Sequence, residues 1–235
     1  MNPLLQAKQL KVYFPIRSGI FKTKKGMVKA VDGVDLSVNR GETLAIVGES
    51  GSGKSTLGRA LLRLGPITEG QILWENKVDV LELPSQPLRA FRRKVQMVFQ
   101  DPFASLNPRH SAKTLLMEPL RIHHLGHPKD RDPRVSHLLE SVGLSPSDMT
   151  KYPHQFSGGQ RQRLAIARAL AVEPELIVAD EPISALDMSV QAQILGLLEE
   201  LKKSLGLTFI FISHDLGVVQ RIANRVLVLY LGHSV

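Results

Sequence analysis

Gly48-Glu49-Ser50-Gly51-Ser52-Gly53-Lys54-Ser55 fits the spacing G-x-x-x-x-G-K-[ST]. Glycines at these positions let the backbone curl until consecutive N–H groups face one centre, which makes a concave anion site. A helix opening near Lys54 would add the positive end of its dipole. Lys54 can reach the β- and γ-phosphates of a nucleoside triphosphate, and Ser55 Oγ is placed to ligate Mg²⁺. Gly48 to Thr56 is therefore the expected seat of such a ligand.

Asp180 and Glu181 follow a short apolar run, Leu176 to Ala179. Adjacent carboxylates there are costly unless they meet a cation or a proton. Strand alternation would aim them differently, leaving Asp180 to hold Mg²⁺ and Glu181 to orient and deprotonate a water; a solvated turn before Pro182 is the plainer alternative. His214 follows another apolar run, and ligands of parallel sheets gather at the carboxyl ends of strands. That places it within reach of a γ-phosphate. Ser157-Gly158-Gly159-Gln160 can open a second anion-binding helix end, Ser157 as cap and the glycines leaving the amides bare.

The elements that must position these groups alternate between strand and helix. Leu4 to Phe14 and Val28 to Val38 read as strands around a Lys/Gly-rich loop, Ser18 to Gly26. Thr43 to Val47, Val95 to Phe99, Leu176 to Ala179 and Thr208 to Ile212 read as short buried strands. Leu57, Leu61 and Leu64 recur at helical spacing, stopped by Gly65-Pro66. Gly159 to Ala171 is a helix with Leu164, Ala167 and Leu170 on one face. Gln191 to Leu205 carries the stripe Ile194, Leu197, Leu198, Leu201 and Leu205, with Gly206 where a C-cap belongs. The proline-rich stretch from about 101 to 157 reads as an inserted helical lobe. The pattern predicts an α/β fold with a mostly parallel sheet.

Composition narrows the partners. The 235 residues are 43% hydrophobic and 22% charged, ordinary for a globular chain, and no cysteine is present. No apolar run approaches the ~20 residues that span a bilayer, and Met1 to Lys11 has no signal-peptide segment. The expectation is a chain that stays where it is made, with other chains crossing any membrane. The net charge of +8 admits phosphates, nucleic acid or an anionic membrane face, but aromatic residues are only 5%, which argues against nucleic acid. The basic clusters Arg17 to Lys29 and Arg89 to Lys94 read as solvated faces. His123, His124 and His127 lack complementary carboxylate or thiolate spacing and read as an exposed polar loop.

Phe156-Ser157-Gly158-Gly159-Gln160 resembles the L-S-G-G-Q signature of ABC ATPases, with Phe for Leu at 156. Gln100 after Val-Gln-Met-Val-Phe matches the Q-loop, Ser184-Ala185-Leu186-Asp187 the D-loop, and His214 the switch histidine. The resemblance covers nearly the whole chain. It implies a P-loop (RecA-like) core with an N-terminal antiparallel β lobe and the inserted helical lobe, all one nucleotide-binding domain over 1–235. It implies ATP and Mg²⁺, the metal held by Ser55, Gln100 and Asp180, with Glu181, His214 and Gln100 catalytic. It also implies two ATPase subunits facing head to tail, so that Ser157 to Gln160 and Asp187 of one meet the ATP held by Gly48 to Thr56 of the other. An N-terminal aromatic stacks on adenine in this family: Phe14 is the choice here, with Tyr13 the competitor.

Gln100-Asp101-Pro102-Phe103-Ala104-Ser105-Leu106-Asn107-Pro108-Arg109 is similar to the Q-D-P-x-x-S-L-N-P-R run of the oligopeptide/dipeptide importer branch, which includes nickel and glutathione systems; Val28 to Val34 fits that branch too. The resemblance implies an ATPase at the cytoplasmic face of the inner membrane. Its partners would be two transmembrane permease subunits, a second ATPase subunit (identical or paralogous) and, indirectly, an extracytoplasmic solute-binding protein. Members of the branch usually continue past the strand ending Tyr230-Leu231-Gly232 into a C-terminal extension; the sequence here runs to Val235. A non-transport ABC ATPase and a binding-only regulatory subunit are the competing classes. The first usually carries a second ATPase unit, a coiled coil or zinc motifs, and the second a degenerate site.

Overall fold

The structure is a computed structural model that describes residues 3–18 and 23–235, without the side chains of 17, 18 and 23–25. Residues 19–22 of the expected Ser18 to Gly26 loop lie outside the described residues. The flanks of that loop are strand: β1 runs Leu5–Ser18 and β2 Thr23–Val38. Both are longer than the apolar patterning suggested, because the ladder continues through exposed residues. β3, Thr43–Val47, is buried throughout and feeds the glycine loop; α1, Lys54–Leu61, follows it. The helix is shorter than expected: Leu62 caps it, Arg63 turns left-handed with φ of 51°, and Leu64 is exposed and not on a buried stripe.

Next come β4 (Glu69–Trp74), β5 (Val78–Asp79) and α2 (Ser85–Lys94). The last turn of α2 carries Arg92, Arg93 and Lys94, where cations meet the negative end of the helix dipole. β6 is Val95–Val98, α3 Pro102–Ser105, α4 Ala112–Ile122, α5 Arg131–Ser141 and α6 Gly158–Leu170. Short 3₁₀ turns separate α4 from α5 and α5 from α6. β7 (Leu176–Asp180), α7 (Met188–Leu205), β8 (Thr208–Ile212), α8 (Leu216–Ile222), β9 (Arg225–Tyr230) and β10 (His233–Ser234) complete the described chain.

Two compact units emerge. The first joins residues 1–91 to 208–235. In it, β1 lies between β2 and β4, with β5 beyond β4, all antiparallel. A second layer places β3 between β8 and β9, all parallel, with β10 antiparallel to β9. Leu44, Ala45 and Ile46 are almost wholly buried there, and Trp74 packs edge-on against Phe91 at 5.5 Å between ring centroids.

The second unit, residues 92–207, pairs β6 with β7 in parallel; α6 packs on β6, and α3, α4, α5 and α7 pack on α6. α6 is buried nearly all round, which explains why Ala165, Ile166 and Ala169 join its expected face. Along α7 the stripe holds through Leu201, but Leu205 is exposed one residue before the left-handed cap Gly206.

Candidate functional site

In the first unit, β3 delivers the glycine loop to the N-terminus of α1. Gly53 caps α1 with φ of 102°, and a Cβ there would come within 2.0 Å of Ala30 O, so only glycine fits. Lys54 is 5% exposed, and its ammonium donates to Gly48 O at 2.7 Å and Glu49 O at 2.8 Å. Ser55 and Thr56 are half-buried on the first turn of α1. Ser52 Oγ is buried with no hydrogen-bond partner, an uncommon condition that suits a loop built to receive a polar ligand. Glu49, Ser50 and Gly51 are exposed on the loop's rim.

His214 lies just past β8, the strand paired with β3 so that Ile212 faces Ile46. Ser213 N donates to Ile46 O at 3.1 Å, which sets exposed His214 at the same strand end as Gly48. Asp215 caps α8 by accepting from Gly217 N and Val218 N.

The two aromatic candidates differ in setting. Phe14 is 39% exposed and shares a cavity of about 220 Å³ with Thr56, Arg59 and Pro66. Tyr13 donates its hydroxyl to Asp32.

In the second unit, β7 ends in fully buried Asp180. Strand alternation does not carry on to Glu181, contrary to the sequence argument. Glu181 takes a left-handed φ of 44°, and the chain turns as Ser184 N and Oγ donate to its carbonyl. A non-glycine residue held there costs about 1–2 kcal/mol and is found where surroundings over-determine it, often at functional sites. Gln100 Nε2 donates to Glu181 Oε2 at 3.1 Å.

Ser157 caps α6. Its Oγ accepts from Gln160 N, and Gln160 Oε1 accepts from Ser157 N at 3.0 Å, a reciprocal capping box. Behind it, a Cβ on Gly159 would lie 2.4 Å from Val190 Cγ1, and one on Gly158 would touch Leu186. The glycines thus bring α6 against the start of α7. Asp187 caps α7, accepting from Val190 N at 3.0 Å and Ser189 Oγ at 2.8 Å; these bonds hold its carboxyl below the ordinary range.

No motif marks the residues that tie α6 to the segment after Gln100. Arg161 stacks 5.2 Å from the Phe103 ring, and Arg168 donates to Ser105 O. The signal available was the density of arginines on a helix otherwise buried. Leu186 and Val190, which meet the glycines, had no signal beyond being apolar.

Ser55 Oγ in the first unit, and Gln100 Oε1 and the Asp180 carboxylate in the second, are each oxygen donors of the kind a hard cation such as Mg²⁺ takes. Among the described residues no group of three or more His, Cys, Asp or Glu could hold a metal ion. His124 and His127 are exposed.

Known proteins resemble this chain in both sequence and fold. The family described as ABC transporter matches residues 31–184. The oligopeptide transport ATP-binding protein AppF of Bacillus subtilis (strain 168) is 56% identical over 230 residues, covering 97% of this chain and 70% of that protein. The glutathione import ATP-binding protein GsiA of Salmonella choleraesuis (strain SC-B67) is 51% identical over 235 residues, 100% of this chain and 37% of that protein. A solved dimeric, post-hydrolysis structure of the ATP-binding cassette MJ0796 bound to ADP and Pi superposes with a TM-score of 0.85 at 32% identity, covering 98% of this chain and 96% of that one.

Proposed function

The chain belongs to the ABC transporter family as an ATP-binding, ATP-hydrolysing subunit, and from that premise we propose that its ATPase cycle drives import of oligopeptides or dipeptides. The observation that carries the substrate class is the 56% identity to AppF over 97% of the chain. The Gln100 to Arg109 run supports the same branch. Import of glutathione, itself a small peptide, is the second reading, favoured by the 51% identity to GsiA.

The subunit works at the cytoplasmic face of the inner membrane. It joins two transmembrane permease subunits and a second ATPase subunit, and an extracytoplasmic binding protein delivers the solute. Among the described residues no helix is long and apolar enough to cross a membrane.

The proposed chemistry is positioning plus charge neutralisation. Gly48 to Thr56 cradle the triphosphate, with backbone amides and Lys54 on its oxygens. Phe14 carries the base. Ser55, Gln100 and Asp180 would hold Mg²⁺, which would supply charge neutralisation on the phosphates. Closure of the dimer brings Ser157 to Gln160 and Asp187 of the facing subunit to the γ-phosphate. Glu181 then takes a proton from the attacking water, and His214 steadies the transferred phosphoryl group.

Proteoliposomes containing the permeases, both ATPase subunits and the binding protein test the assignment. An oligopeptide-loaded binding protein should raise ATP turnover roughly tenfold and load the vesicle lumen. Stimulation by glutathione alone would move the chain to the second reading, and stimulation by nucleic acid would sink both. Phe14→Ala should weaken ATP about tenfold, as loss of one stacked base contact does, and leave inorganic tripolyphosphate binding unchanged; equal ATP affinity would return the base to Tyr13.

A further inference from the structure

The phosphate loop is held from behind by an irregular stretch of β2. Along β1 and β2, Leu10 faces Val34, Val12 faces Val31, and Tyr13 faces Lys29. β2 therefore takes one extra residue on each side of Asp32: one between Val31 and Val34, and Ala30 between Val31 and Lys29. Bulges of this kind re-aim backbone groups at the cost of ladder hydrogen bonds. Here the bulged Ala30 points its carbonyl at the loop, 2.0 Å from where a Gly53 Cβ would sit. The amide of Asp32 likewise leaves the β1 ladder and donates to Gly232 O at 2.8 Å, while Gly232 N donates to Ser52 O at 3.0 Å. Gly232 has φ of 84° and its Cβ position lies 2.9 Å from Lys29 O, so this relay through the β9–β10 turn also requires glycine. Leu229, in β9 just before that turn, backs Gly48: a Cβ on Gly48 would lie 2.1 Å from the Leu229 carbonyl oxygen.

A ladder broken on both sides of Asp32 needs another tie between β1 and β2, and the Asp32 carboxylate supplies it. Tyr13 donates its hydroxyl to Oδ1, Lys29 Nζ donates to Oδ2 at 3.0 Å, and His233 Nε2 stands 3.8 Å from Oδ2. Lys29 also lies 5.3 Å from the Tyr13 ring centroid. The carboxylate is only 14% exposed. The Tyr13 hydroxyl and then the Lys29 ammonium hold its carboxyl below the ordinary range, in keeping with a permanently charged anchor.

We propose that Asp32 is a positioning residue for nucleotide binding: its carboxylate pins β1 across the bulge so that Ala30 and Gly232 hold the phosphate loop in its anion-binding shape. The proposal rests on the reading of Gly48 to Thr56 as a phosphate site but not on Phe14, because the probe for it carries no base.

The experiment is titration of the full chain with inorganic tripolyphosphate and Mg²⁺, well below the melting temperature. Asp32→Ala should weaken binding roughly tenfold, the scale of one lost charge-assisted hydrogen bond. Asp32→Asn, whose amide oxygen still accepts from Tyr13, should recover to within about threefold of wild type on the same scale. Tyr13→Phe, which removes a single hydroxyl and leaves packing in place, should show a smaller loss in the same direction if Asp32→Ala does not fold. A lowered melting temperature with tripolyphosphate affinity intact would reduce Asp32 to a structural tie and overturn the proposal, as would an Asn variant as weak as Ala. A wild-type chain that fails to bind tripolyphosphate would instead remove the phosphate-loop reading, and the positioning role with it.

Discussion

Glu181→Gln should bind ATP normally yet turn it over at least about a hundredfold more slowly, the scale of losing a general base. The substitution is nearly isosteric, so it tests proton chemistry with little change in shape. Gln100 Nε2 now donates to Glu181 Oε2 at 3.1 Å, and a glutamine at 181 still offers an oxygen there. The left-handed turn at 181 is fixed by the backbone and by Ser184, whose N–H and hydroxyl donate to the 181 carbonyl, so it does not depend on the side-chain charge. What the variant lacks is a group that can accept a proton from water. A dimer that closes on ATP but cannot hydrolyse it stays closed, so the variant should accumulate as a nucleotide-bound dimer on a sizing column with ATP. Phosphate release near the wild-type rate would remove Glu181 from the role of base and leave its strained backbone to some other purpose.

Two of the strands buried on both faces were legible to the residue, while β7 runs one residue past its apolar run to Asp180. Thr43–Val47 and Thr208–Ile212 are continuous apolar runs bounded by turn residues, and both appear in the structure with those limits. Elements on the far side of β1 from β2 were not. β4 buries only Ile72 and Trp74 and reads as neither period, while α2 buries Phe91 alone under a basic surface. Their placement is decided by partners distant in sequence, Leu5 opposite Trp74 for example, which a local pattern does not register. The same division runs through the candidate site. Types and spacing pointed to Lys54, Ser157 and His214. The left-handed φ of Glu181 and the fit of Gly159 against Val190 belong to the folded chain alone, since nothing in a glutamate or a valine announces either. Asp32 was passed over for a related reason: an acidic residue in an alternating strand looks solvated until the bulges around it turn its amide away from the ladder.

Lys54→Ala should abolish useful nucleotide binding, with ATP affinity falling at least about a hundredfold. Lys54 is 5% exposed, and its ammonium donates to the carbonyls of Gly48 and Glu49 at 2.7 and 2.8 Å. A buried ammonium is costly without hydrogen-bond partners, and the loop's own carbonyls supply them. Lys54 therefore ties the two ends of the loop together, and phosphate oxygens would add to or replace those bonds. Alanine removes a charge from the phosphate site and the tie that shapes it. Hydrogen bonds to charged groups are worth about 1.5–3 kcal/mol each, so losing two from Lys54 to phosphate oxygens would exceed a hundredfold in binding. Lys54→Arg should also bind poorly, because a planar guanidinium is too broad for a cradle that encloses a compact ammonium so closely. Calorimetric titration with ATP and Mg²⁺, beside circular dichroism to verify the fold, separates the outcomes. Unchanged affinity in a folded Lys54→Ala chain would mean that the glycine loop is an ordinary strand-to-helix turn. Weak binding in Lys54→Ala together with tight binding in Glu181→Gln would assign the two residues to different stages of one cycle, since one variant fails before the nucleotide is held and the other only after.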